Sequence, residues 1–208
     1  MKKQKQKEDL KVLILEAAKK LFVQQGYEST SIRKIAQEIG FSPTTIYLYY
    51  KDKNDLIYAL HQVGFTMMRD RFMPLGVVED PFERLKAVGK NYIEFALDHP
   101  EYYEVMFMMK EPMDFLDQQC GSEQWQEGER VLEFLKMTVA QCQQQGYFKG
   151  MTVEAVTMQA WAAVHGLVTL HVTQHLEKII DVVGFQEGVK DMMYASFEAF
   201  VQMMGSTK

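Results

Sequence analysis

The run Ser42-Pro43-Thr44-Thr45-Ile46-Tyr47-Leu48-Tyr49 holds the side chains of this sequence best suited to reading another molecule. The hydroxyls of Ser42, Thr44 and Thr45 can bond to base edges or phosphates, and the Thr45 methyl can meet a thymine methyl. Tyr47 and Tyr49 are long enough to reach phosphates or bases. Lys53 falls where a following helix starts, so its charge would add to exposed backbone N–H groups as an anion site. Arg33 and Thr30 would flank the same groove, and Lys2, Lys3, Lys5 and Lys7 could form a mobile basic arm. Together these residues describe a surface for double-stranded DNA.

Positioning such a set requires a rigid short helix braced by others. Residues 9 to 25 place Leu10, Ile14, Ala17, Ala18, Leu21 and Phe22 on one helical stripe, closed by Gly26. Thr30 or Ser31 caps a second helix with Ile32, Ile35, Ala36 and Ile39 on one face, which Gly40 ends. Ser42 is a good cap for a third helix, and Pro43 suits its first position, where a missing N–H costs nothing. Residues 43 to 50 are too few to form a stable helix alone, and only Ile46 and Tyr50 can face the first two helices. Two helices joined by a glycine-containing turn and braced by a third form the helix-turn-helix arrangement.

A longer helix then runs to about residue 72, with Leu56, Ile57, Leu60, Val63, Gly64 and Met67 inward, until Pro74 and Gly76. Helices are expected near 81–98, 100–109, 122–145, 151–176 and 185–204, with a loop at 110–121. The fold is therefore expected to be all-α, with about nine helices: a DNA-binding head over 1–53, linked through the helix 54–72 to a larger body over 74–208.

Charge supports the division. The chain carries −5 overall, yet residues 1–53 hold eleven Lys or Arg against six Asp or Glu, leaving −10 on the rest. A basic head attracts phosphate while an acidic body is repelled by it, which orients the molecule on DNA. No apolar run is long enough to span a membrane, and the polar start MKKQKQKEDLK lacks a signal region, so a cytoplasmic location is expected. Two cysteines, Cys120 and Cys142, are too few for a disulfide framework and too far apart for a structural zinc site. Neither a phosphate loop nor a nucleophile elbow is present, so no enzyme activity and no cofactor are expected.

In the body, Tyr92, Phe95, Tyr103, Met106, Met109, Trp125, Phe134, Trp161 and His165 are candidates to line a pocket for a small hydrophobic effector. Fifteen methionines suit an adaptable lining. His165 lies one turn from Trp161, placed either to bond a ligand or to satisfy a buried neighbour. The stripe Val189, Met192, Met193, Phe197, Phe200 and Met204 is too apolar to leave exposed, and burial against a twin subunit would account for it. His171 and His175, with Glu177 close behind, have a spacing that can bind zinc. No third ligand is evident, and no metal site is assigned. A body that recruits a protein partner is the other alternative.

Residues 14–60 resemble the N-terminal domain of tetracycline-repressor (TetR) family regulators almost throughout. The matching pieces are Ala17-Ala18 with Leu21-Phe22, Gly26-Tyr27, Thr30-Ser31-Ile32-Arg33, Ile35-Ala36, Gly40-Phe41-Ser42, Thr45-Ile46-Tyr47, Tyr49-Tyr50 and Lys51-Asp52-Lys53. The resemblance implies DNA contacts at Thr30, Arg33, Pro43, Thr44, Thr45, Tyr47, Tyr49 and Lys53. Many relatives have Gly or Ala where this chain has Thr44, a departure that bears on operator preference. In the body, Trp161, His165-Gly166, His99-Pro100-Glu101-Tyr102-Tyr103 and Met106-Phe107 resemble the C-terminal type named for its Trp-His-Gly signature. The resemblance implies a homodimeric repressor, released from a palindromic operator by its effector.

Overall fold

The computed structural model describes residues 2–118, 125–184 and 186–207. Among these residues there are eleven α-helices and no strand. They are α1 (Lys2–Gln25), α2 (Ile32–Glu38), α3 (Pro43–Tyr47), α4 (Lys53–Phe72), α5 (Pro81–Asp98), α6 (Pro100–Tyr103), α7 (Glu111–Gln118), α8 (Gln126–Gln144), α9 (Val153–Val172), α10 (His175–Val183) and α11 (Val189–Gly205). A 3₁₀ turn follows α4 at Met73–Val77, and a π turn follows α6 at Glu104–Met108. The all-helical expectation holds. The chain forms two compact units, Met1–Thr66 with Glu101–Glu127, and Met67–Pro100 with Gly128–Lys208.

In the first unit, Ile14, Ala18, Phe22, Ile35, Ile46, Leu56, Ile57 and Leu60 are fully buried. Their recurrence at three- and four-residue steps explains why α1, α2, α3 and α4 form only as a packed group. Gly26 and Gly40 have φ of +80° and +72°, the left-handed values at which a side chain would be strained, so both helix ends fall where the glycines do. Within the same unit, α6 and the π turn are tied to α1. The buried Lys19 ammonium lies 2.8 Å from Glu16 and 3.5 Å from Glu101, and the Tyr102 hydroxyl donates to Glu16 at 3.0 Å. Gly64 lets Met106 approach α4, since a Cβ there would lie 2.4 Å from the Met106 sulfur.

In the second unit α9 packs on α5, α10 and α11. Gly89 allows the ring of Phe197 against α5, where a Cβ would fall 2.6 Å from ring carbon Cε2. Of the apolar stripe on α11, Met193 and Phe197 are buried within the unit, while Met192, Phe200 and Met204 are partly covered. Met158, Leu170, Ile179, Val182, Val183 and Met203 remain exposed on α9, α10 and α11.

Three expectations require correction. The stretch 110–121, read as a loop, contains α7, because Pro112 sits in the first turn of a helix instead of breaking one. The helix expected over 151–176 is broken: Thr173 caps α9, and Gln174 adopts a left-handed φ of 60° before α10 begins. The basic arm is helical from Lys2, as the opening turns of α1, so it is not a free strand of chain. The side chains of Lys2, Lys3 and Lys5, residues 119–121 of the expected loop, the start of the helix expected from 122, Phe185 and Cys120 lie outside the described residues.

Candidate nucleic-acid interface

The recognition segment is built from its caps. The Ser31 side chain accepts from Lys34 N at 3.2 Å and starts α2. The Ser42 side chain accepts from Thr45 N at 3.3 Å, shares a 3.0 Å hydrogen bond with the Thr45 hydroxyl, and starts α3. Both caps satisfy amide groups that a helix start otherwise leaves unpaired. Ile46 is fully buried and Tyr50 nearly so, as the spacing requires. The Tyr50 hydroxyl is buried without a hydrogen-bond partner among the described residues, and burial raises its pKa. Thr44 and Tyr47 consequently face outward, Tyr47 at 56 % exposure, and Tyr49 is half-buried with the Lys7 ammonium 5.9 Å from its ring centre.

The flanking residues divide. Arg33 is exposed on α2 with no ion pair or hydrogen bond among the described residues. Thr30 is turned inward at 2 % exposure, its hydroxyl bonding to the carbonyls of Leu21 and Gly26 at 3.1 and 2.9 Å. It fastens the corner between α1 and α2 and presents no hydroxyl to a groove. Lys53 opens α4 with its ammonium donating to the Tyr27 carbonyl at 2.8 Å and 3.9 Å from the Tyr27 ring centre. Tyr27 in turn donates to Asn54 and stacks on Phe22, and burial pushes its hydroxyl up to about 12. The lysine is thus held in place by Tyr27. Leu48, 75 % exposed between the two tyrosines, is a contact candidate that hydroxyl chemistry missed. Its signal was an apolar residue on the outward side of a helix too short to have a second buried face.

The nine effector candidates are divided between the two units. In the second unit, Tyr92, Trp161 and His165 meet: the Tyr92 hydroxyl and His165 Nδ1 share a 2.8 Å hydrogen bond, and Trp161 Nε1 donates to Tyr92 at 3.3 Å. Burial lowers the His165 pKa, and its Nδ1 is engaged by the Tyr92 hydroxyl. Phe95 is fully buried beside His99, and Phe134 is buried near Phe72. In the first unit, Tyr103 and Met106 are buried, Met109 is half-buried, and Trp125 packs edge-on to Phe65. An open depression lined by Leu13, Glu16, Lys20, Glu38, Ile39 and Glu101 contains none of the nine.

Zinc binding by His171 and His175 at a four-residue spacing requires one continuous helix. The break at Gln174 separates them; His171 pairs with Glu177, and His175 bonds to Thr173 at 2.9 Å. Among the described residues no group of three His, Cys, Asp or Glu side chains could hold a metal. No helix there is long and apolar enough to cross a membrane. Cys142 is buried, and burial pushes its thiol up to about 12.

Comparison with known proteins agrees with the geometry. Residues 14–60 match the model described as "Bacterial regulatory proteins, tetR family", and residues 85–203 match "Tetracyclin repressor-like, C-terminal domain". That description does not specify the Trp-His-Gly subtype. The chain is 38 % identical over 102 residues to the fatty acid metabolism regulator protein of Bacillus subtilis (strain 168), covering 46 % of this chain and 50 % of that protein. It is 32 % identical over 87 residues to an HTH-type transcriptional regulator of Staphylococcus aureus (strain MRSA252), covering 41 % of this chain and 47 % of the other. The matches thus span about half the length of these curated relatives. Among solved structures, the fatty acid degradation regulator FadR from Bacillus halodurans superposes with a TM-score of 0.69 at 16 % identity, over 91 % of this chain and 93 % of that one. A TetR family transcriptional regulator, PfmR from Thermus thermophilus, gives 0.67 at 17 % identity over 91 % and 97 %. The likeness to solved structures carries the fold, the model over 85–203 covers more than half of the chain, and this protein belongs to the tetracycline-repressor family.

Proposed function

We propose that the chain is a ligand-responsive transcriptional repressor, not an enzyme. It binds a palindromic double-stranded DNA operator as a homodimer in the cytoplasm and leaves that operator when a small hydrophobic effector binds. The observation that carries the DNA reading is α3: a five-residue helix held by Ile46 and Tyr50, presenting Thr44, Tyr47 and Leu48 outward beside an unpaired Arg33. Ser42, Pro43 and Thr45 set the helix start; Tyr49 and Lys53 reach toward phosphates; Leu48 offers a methyl surface to thymine. Thr30 acts through the corner it braces.

The exposed apolar side chains of α9, α10 and α11 are the surface for a second copy. Two relatives named for fatty acid metabolism and degradation favour a hydrophobic effector. Within the first unit, the ties from Lys19 to Glu101 and from Tyr102 to Glu16 link α6 to α1, a route by which a change near α6 would reach the head.

Selection from a random duplex pool tests the reading. Recovered sites should be palindromic, with half-sites about 34 Å apart, and affinity should fall steeply with salt. Recovery of no enriched sequence would sink it.

A further inference from the structure

His61 lies on the inward face of α4 at 1 % exposure, and among the described residues neither of its ring nitrogens has a hydrogen-bond partner. It was not among the sequence candidates. The Phe65 ring is 4.8 Å from His61 and 5.7 Å from Trp125, centre to centre, and the indole Nε1 of Trp125 is likewise buried without a partner among the described residues. Tyr58 stacks near His61 at 6.0 Å and meets Phe115 at 5.1 Å; Phe107 meets Phe65 edge-on at 5.5 Å. All of these residues belong to the first compact unit.

Buried polar atoms are almost always paired, so three orphaned ring nitrogens around one phenylalanine ask for a partner that the described residues do not supply. Burial also pushes the His61 pKa down to about 4, so at neutral pH the ring has one N–H and one bare nitrogen. With the indole N–H, the cluster offers two donors and one acceptor, none formally charged, among aromatic rings that favour stacking with a flat molecule. A carboxylate or phosphate would find no counter-charge on these three atoms.

We infer that His61 and Trp125 are the polar anchors of a binding site for an uncharged aromatic molecule with a carbonyl or phenolic oxygen. That this molecule is the effector rests on the regulatory reading above; the site itself does not.

Calorimetry on the full chain with flavone, 2-naphthol and hexadecanoic acid provides the test. Flavone or 2-naphthol is expected to bind; His61→Leu should weaken that binding at least tenfold, Trp125→Phe several-fold, and His61→Gln, which keeps a donor and an acceptor, less than threefold. His61→Leu should melt no lower than the parent, because it removes two unpaired buried atoms. Binding of neither aromatic probe, or equal binding by His61→Leu and the parent, overturns the inference. So does a lower melting temperature of His61→Leu with ligand binding intact, which would mean that the ring holds internal water instead. Binding of hexadecanoic acid alone overturns the ligand class. Operator binding by the same proteins is measured in parallel: its loss in the parent refutes the regulatory reading and leaves the calorimetric result to stand or fall by itself.

Discussion

Replacing Lys53 with methionine removes one positive charge while keeping a stem long enough to lie on Tyr27. In the free protein the ammonium is half-buried, 2.8 Å from the Tyr27 carbonyl and 3.9 Å from the ring centre. Losing that contact is expected to lower stability by about 0.5–1 kcal/mol, the range for a cation over an aromatic face at a partly exposed site. If the same ammonium also meets one phosphate, the slope of log affinity against log salt should become shallower by about 0.9. Over a fourfold rise in salt, from about 50 to about 200 mM, the parent's advantage over the variant then shrinks by about 3.5-fold. Fluorescence anisotropy on a selected duplex at several salt concentrations, with thermal melts alongside, separates the two effects. An affinity loss of the same factor at every salt concentration would refute the phosphate contact and leave Lys53 as a brace for Tyr27 alone.

Ser42→Ala removes the α3 cap and should cost about 1 kcal/mol in a denaturant titration, with a larger loss of DNA affinity, because Thr45 also loses its hydroxyl partner. Ile46→Ala, at a fully buried position, should destabilise by about 2–5 kcal/mol and abolish specific DNA binding; an unchanged melting curve would remove the anchor from the account. Gly64→Ala should lose about 1–3 kcal/mol by crowding Met106, and a Met106→Ala partner mutation should show favourable coupling in a double-mutant cycle. His61 has an ordinary value of 6.5 and a folded value pushed down to about 4. The unfolded chain therefore binds more protons between those values, and stability contributed by the neutral ring is complete above 6.5 and falls as pH drops toward 4. The loss amounts to about 3 kcal/mol at the acid end. It should be absent from the pH-dependent melts of His61→Leu, so the difference between parent and variant should carry it.

The head was legible because its signals are local. Glycines at 26 and 40, serine caps at 31 and 42, and a three- to four-residue apolar rhythm each act within a turn or two of chain, and each falls where the structure puts it. The inward turn of Thr30 is not legible, because a hydroxyl at a helix start looks the same whether it points out or back; the carbonyls of Leu21 and Gly26, brought near by folding, draw it in. The break at Gln174 carried no glycine or proline to announce it. His61 was overlooked although it follows Ile57 by four residues and precedes Phe65 and Met68 on the same buried stripe. A histidine on an apolar stripe is visible in the sequence; that nothing answers its nitrogens is visible only once the neighbours are placed.

The two-point attachment of α3 separates folding from reading. Ile46 and Tyr50 hold the segment, whereas Thr44, Tyr47 and Leu48 bury little of themselves and brace nothing around them. On the DNA contacts proposed above, changes at those three positions should leave the melting temperature nearly untouched while altering which bases are met. A duplicated copy of this gene can therefore drift to a new operator in single steps, each intermediate fully folded, and a library confined to the same three positions is a compact route to re-addressed regulators.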